Sequence, residues 1–129
     1  MKNIIWFDNL NKPFLSPPDW IFTPVWIILY IMIAISFFVF IRGGINKKKR
    51  LPLSFFLIQL ALNFSWPFVF FGMKNIAFAF FIIIFMYIFL ILTIITFFKH
   101  SKLASVLLIP YLFWISFAAY LNFGFLVLN

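Results

Sequence analysis

The sequence predicts an all-α integral membrane protein folded as one transmembrane helix bundle, and three observations carry that prediction. Of its 129 residues, 67% are hydrophobic and 25% aromatic, more apolar surface than a soluble domain of this size could hide from water. Asp8 and Asp19 are the two carboxylates in the whole chain. The basic residues cluster between or before four apolar stretches, each near the about 20 residues that carry a helix across a hydrocarbon core of roughly 30 Å. Barrel strands would be about half that length and would alternate polar with apolar positions.

Residues 1–19 read as an extramembrane entrance loop and residues 20–129 as the bundle. The first span is expected over 20–41. Ser16 followed by Pro17 and Pro18 is a helix-start signal, because a hydroxyl caps free N–H groups and proline needs none of its own. Phe22, Trp26 and Tyr30 follow at four-residue steps as an aromatic stripe. The second span, 52–71, carries Gln59, Asn63, Trp66 and Pro67 at three-and-four spacing on one face. An amide in lipid must find a partner, so this face should turn inward. The two amides are then either a ligand-reading site or interhelical glue, and glue is the commoner use in membrane bundles. The third span, 76–98, lacks Trp, Pro and Gly and reads as a structural, lipid-facing wall. The fourth, 103–127, repeats the pattern of the second, with Trp114, Ala118 and Asn122 at four-residue steps and Pro110 and Tyr111 one turn earlier. Ala118 leaves room for something flat to approach.

Three spans pair tryptophan with proline: Pro24 with Trp26, Trp66 with Pro67, Pro110 with Trp114. A missing backbone donor and an indole N–H both need shelter in lipid, so the pairs are expected to point toward a shared aromatic cavity. The bland alternative is that aromatics simply pack in the bundle or sit in interfacial belts, the natural reading for Trp6 and Trp20.

Connections at 42–51, 72–75 and 99–102 are short enough to force antiparallel neighbours, giving one up-and-down bundle. Arg42, Lys47, Lys48, Lys49, Arg50, Lys99 and Lys102 lie on one side, against Lys2, Lys12 and Lys74 on the other. The positive-inside rule makes loops 42–51 and 99–102 cytoplasmic. The run from Lys47 to Arg50 serves as a topology signal or as a docking patch for anionic lipid or an acidic partner. The net charge of +8 does not imply nucleic acid, since the basic residues flank apolar spans instead of lining one face.

The available chemistry is narrow. Cysteine is absent, and the one histidine, His100, falls in a basic loop. No carboxylate sits at membrane depth, so a proton-coupled exporter lacks its ionisable group, and a metal site, an activated nucleophile or an axial haem ligand is unsupported.

At this point a pattern emerges. The run Pro17-Pro18-Asp19-Trp20-Ile21-Phe22-Thr23-Pro24-Val25-Trp26 with Leu29-Tyr30 resembles the signature of the translocator protein family, also called tryptophan-rich sensory protein or peripheral-type benzodiazepine receptor (TspO/MBR). Leu62-Asn63-Phe64-Ser65-Trp66-Pro67 through Gly72 is similar to that family's third-helix motif, and Pro110-Tyr111-Leu112-Phe113-Trp114 through Asn122 to its fifth. The resemblance covers nearly the whole chain, although Phe14 and Leu15 stand where a Ser-Trp pair is usual.

The resemblance implies a membrane binder of large flat apolar ligands, porphyrins such as protoporphyrin IX above all, with no obligatory cofactor. It places Trp26, Asn63, Trp114 and Ala118 in the pocket, Trp20 in the loop-proximal motif, and Trp66 and Asn122 in supporting motifs. Some relatives are described as degrading porphyrin in light, which would implicate Trp26 and Trp114 and ranks below binding or sensing. The family has five helices, and the four spans here correspond to its second through fifth. The family's ring order puts the missing helix between the first two spans, so either the start is internal to a longer protein or this is a reduced member whose gap is closed by lipid or a partner protomer; the first is the expectation, because an open side would expose Gln59 or Asn63 to lipid. Beyond lipid and an apolar small molecule, a homodimer is the partner to consider. A purely structural or interaction subunit is the competing class, resting on Ala61 and Ser65, whose small side chains at four-residue spacing allow close helix contact.

Overall fold

In a computed structural model, residues 21–44 and 46–128 are described, apart from the side chain of Phe22. The entrance loop, the Ser16 start signal and Trp20 lie outside the described residues. Helix α1 spans Phe22–Ile41, α2 Arg50–Pro67, α3 Ile76–Phe98, α4 Lys102–Leu107 and α5 Ile109–Leu128. Among the described residues, four helical stretches are long and apolar enough to cross a membrane, with α4 and α5 together forming the fourth. A 3-10 turn at Lys47–Lys49 leads into α2, and a π-helical turn at Phe68–Gly72 ends it.

Side-chain caps mark the starts of the 3-10 turn, α3 and α4. The Asn46 carboxamide accepts from the N–H groups of Lys48 and Lys49, that of Asn75 from Phe78 N–H, and the Ser101 hydroxyl from Ala104 N–H. Gly44, at φ 95°, makes a left-handed bend just past the end of α1, early in the first connection. Lys74 adopts φ 55° between the π turn and α3, a conformation that is strained for a residue with a Cβ.

The prolines do not turn inward. Pro24, Pro67 and Pro110 are all exposed on the outer surface, while Trp26, Trp66 and Trp114 are half-buried. The reason is position within the helix. Pro24 is the third residue of α1 and Pro110 the second of α5, where a backbone N–H has no intrahelical acceptor to lose. Pro110 also explains why the fourth span is broken at Leu108, since a continuous helix would bring the pyrrolidine ring against the preceding turn. Pro67 ends the α-helical ladder of α2 and is followed by wider hydrogen bonding, Met73 N–H to Phe68 O at 3.0 Å.

Helix α3 corrects the lipid-wall expectation. One face does meet lipid, through Phe78, Phe81, Phe85 and Ile88, but the other buries Ala79, Ile83, Met86, Leu90, Thr93 and Phe97. Those six positions advance by alternating steps of four and three, the seam of a left-handed helix pair. Helix α3 is the element on which α2 and α5 pack most extensively, with α4 also against it. In lipid both faces are equally apolar, so no hydrophobic contrast marks the packed side.

The basic end is tied by aromatic stacking and by hydroxyl groups. Phe40 lies flat on Phe97 at 3.9 Å between ring centroids, Phe97 continues to Phe56 at 5.7 Å, and Phe56 to Phe37 at 5.2 Å. Lys49 Nζ donates to the Phe40 carbonyl at 2.7 Å near the negative end of α1, so this member of the basic run is half-buried and anchored. Ser36, fully buried, donates to Ala104 O at 2.6 Å, and Ser105 to Ile94 O at 2.8 Å, which fixes α4 between α1 and α3.

Candidate ligand site

The site is assembled from α1, α2 and α5. Trp26 of α1 and Trp114 of α5 meet edge to face, with ring centroids 6.2 Å apart at 88°. One turn along α1, Tyr30 lies 5.6 Å from Trp26 and stacks on Phe64 of α2 at 5.9 Å. These contacts follow from the four-residue stripe of α1, which presents Trp26 and Tyr30 on one face.

Polar groups continue inward from Tyr30. Its hydroxyl donates to Asn63 Oδ1 at 2.5 Å, Asn63 Nδ2 donates to the Tyr111 hydroxyl at 2.5 Å, and Tyr111 donates to Gln59 Oε1 at 2.9 Å. Met86 Sδ of α3 lies 3.5 Å from the same Tyr111 oxygen. Gln59 and Tyr111 are fully buried and Asn63 is 3% exposed, so the amides face inward as the helix spacing requires. Neither amide is exposed to lipid, because the two phenols cover them. Asn63 therefore bonds three helices together, which is the glue role; its ligand-reading role would have to act through this same cluster. Gln59 Nε2 is buried without a hydrogen-bond partner.

Trp66 belongs to a neighbouring arrangement. Its indole N–H donates to Asn122 Oδ1 at 2.8 Å, and Asn122 Nδ2 donates to Ile76 O at 3.2 Å, tying α2, α5 and the start of α3. The Trp66 ring stacks on Phe70 at 4.9 Å and meets Phe71 edge-on at 6.0 Å. Ala118, one turn beyond Trp114, is half-buried against the core that holds Leu29, Tyr111 and Ile115. Of the residues expected at the pocket, the structure thus brings Trp26, Asn63 and Trp114 together through Tyr30, sets Ala118 beside Trp114 along α5, and ties Trp66 to Asn122.

Gln59, weighed with Asn63 as ligand reader or glue, belongs to this cluster, and so do Tyr30, Tyr111 and Met86, which sequence reasoning did not place at the site. A usable signal existed: two amides on one helix face need partners, and phenols on flanking helices can both donate and accept. The cluster is uncharged. Among the described residues no group of three or more His, Cys, Asp or Glu could hold a metal ion. What remains is aromatic surface with a few fixed dipoles, suited to burying the face of a flat apolar molecule.

Fold and site together define a multi-pass helical membrane protein with an uncharged aromatic interior. The sequence pattern of the TspO/MBR family matches residues 1–128, and the chain belongs to that family. It is 44% identical over 124 residues to the tryptophan-rich protein TspO of Archaeoglobus fulgidus, covering 96% of this chain and 80% of that one. Against the tryptophan-rich sensory protein of Cereibacter sphaeroides identity is 39% over 124 residues, covering 96% and 77%. Against the human translocator protein it is 34% over 124 residues, covering 95% and 73%.

Proposed function

We propose that this chain is a membrane-embedded binder and sensor of porphyrins, protoporphyrin IX in particular, and of similar flat apolar ligands, with their transport as a further consequence. The observation that carries the reading is the meeting of Trp26 and Trp114 beside the hydrogen-bonded Tyr30 and Asn63. Two indoles supply broad apolar contact, and neutral dipoles orient a ligand without requiring charge at membrane depth. Relatives named as sensory and translocator proteins support such a role. The ligand-binding residues are Trp26, Asn63, Trp66, Trp114 and Ala118, together with Trp20, which lies outside the described residues. The host membrane is a bacterial cell membrane, with loops 42–51 and 99–102 cytoplasmic.

The test is a dark titration of protoporphyrin IX, followed by tryptophan fluorescence, of the wild type and of Trp114→Phe. Weaker affinity in the variant is the expected result. Unchanged affinity, once the lost fluorophore is allowed for, removes Trp114 from the site.

The direct contact of the two indoles favours one second reading, light-dependent degradation of bound porphyrin. It predicts bleaching under illumination that disappears in a Trp26→Phe, Trp114→Phe double variant. Equal bleaching with and without the indoles rejects it.

A further inference from the structure

A network that served only as glue would be expected to satisfy its members, since a buried unpaired polar atom is destabilising. The chain from Tyr30 to Gln59 does not. Every hydrogen bond in it runs one way, from Tyr30 to Asn63, from Asn63 to Tyr111 and from Tyr111 to Gln59, and the Gln59 Nε2 donor is stranded at its end. Each member is a phenol or a carboxamide, which can donate and accept. Turning the two carboxamides over, with the heavy-atom positions otherwise kept, reverses all three bonds. Gln59 Nε2 then donates to Tyr111, Tyr111 to Asn63 Oδ1, and Asn63 Nδ2 to the Tyr30 oxygen.

Reversal moves the unmet group. At the inner end the stranded donor becomes a stranded carbonyl oxygen, the better tolerated of the two. At the outer end the Tyr30 proton loses its acceptor and is free to bond elsewhere. Tyr30 is the half-buried end of the chain, in ring contact with Trp26 and Phe64, while Gln59 and Tyr111 are fully buried. A ligand beside Trp26 that offers an acceptor satisfies that proton and stabilises the reversed state.

We propose that Tyr30 is the specificity-determining residue of this site, its hydroxyl donating to a neutral acceptor on the ligand, such as an ester or amide carbonyl, when the Tyr30–Asn63–Tyr111–Gln59 chain reverses. The proposal rests on the binding function given above and names the ligand chemistry it selects. An acceptor without charge suits the position, because Tyr30 lies in the interior of a membrane-spanning helix. Asn63 and Tyr111 are positioning residues: they set which way the Tyr30 proton points.

Two porphyrins of similar ring size separate the possibilities, protoporphyrin IX dimethyl ester, which carries carbonyl acceptors, and octaethylporphyrin, which carries none. Both are titrated in the dark against the full chain in detergent. The wild type should bind the ester more tightly, by about tenfold, the magnitude of one hydrogen bond. Tyr30→Phe should erase that preference while octaethylporphyrin is still bound, and an unchanged helical signal by circular dichroism reports an intact fold. Gln59→Met is the second variant. It removes the Gln59 bond in both states, the acceptor in the observed direction and the donor in the reversed one, while leaving Tyr30 and Asn63 in place, so the preference for the ester should survive in it. Equal affinity for the two porphyrins in the wild type, an equal loss of both in Tyr30→Phe, or loss of the ester preference in Gln59→Met overturns the proposal and leaves the binding function standing. Failure of the wild type to bind either porphyrin overturns the binding function itself, and the proposal with it.

Discussion

Asn122 is 1% exposed, and its side-chain oxygen is satisfied by the indole of Trp66. Trp66→Phe would strand that oxygen among apolar groups while keeping an aromatic ring in place. Because interhelical hydrogen bonds in membranes contribute modestly, a loss of about 1 kcal/mol is expected. A thermal melt in detergent reads it as a lower midpoint, and an unchanged midpoint would show that the pair contributes nothing. At this scale the sequence was informative where a residue type is costly to misplace in lipid. Asn63, Trp66 and Asn122 announced themselves because an amide or an indole at membrane depth demands a partner. Tyr30 and Tyr111 did not, since a phenol in an aromatic stripe is indistinguishable from packing until its hydroxyl is seen against an amide.

Helix α3 shows what is hidden at the level of elements. Its bounds, Ile76–Phe98, coincide with the span expected from hydropathy, because apolar length is what the membrane selects. Its packed face was invisible, since no polar residue marks the side turned to lipid. The buried seam gives a direct check. Ala79 is fully buried, so Ala79→Leu should destabilise by about 2 kcal/mol through overpacking, whereas Phe81→Leu on the exposed face should change stability by under about 0.5 kcal/mol. Equal effects at the two sites would mean that α3 is not packed through this face. The prolines invite a parallel test. Pro110 sits at the second position of α5, so Pro110→Ala should shift stability by under about 0.5 kcal/mol. A gain of about 3 kcal/mol would instead place Pro110 in a helix interior. Proline at membrane depth looked like a feature needing shelter; the helix starts that remove this need were not fixed finely enough by hydropathy.

Over the whole molecule, basic charge segregates along the bundle axis. The basic loop and the Lys99–Lys102 turn share one end, with Lys49 and the Phe40–Phe97 stack beneath them, while Lys74 marks the other. Cysteine is absent, so single cysteines introduced on the surface report orientation without background. Lys74→Cys should react with a membrane-impermeant maleimide in intact cells, and Lys47→Cys only after lysis; the opposite pattern would invert the bundle. The overall architecture was legible because four apolar spans with short connections leave an antiparallel bundle as the natural arrangement, and the family motifs fell on α1, α2 and α5. The arrangement of the site was less so, because it depends on how three helices rotate about their axes. The central claim is that these helices build a binding site for a flat macrocycle. The decisive measurement is the stoichiometry of protoporphyrin IX binding to the purified 129-residue chain in the dark, from tryptophan quenching together with the porphyrin absorption band. Saturation at about one porphyrin per chain is the predicted result; a linear, unsaturable rise with added porphyrin, as for simple partitioning into detergent, would contradict it.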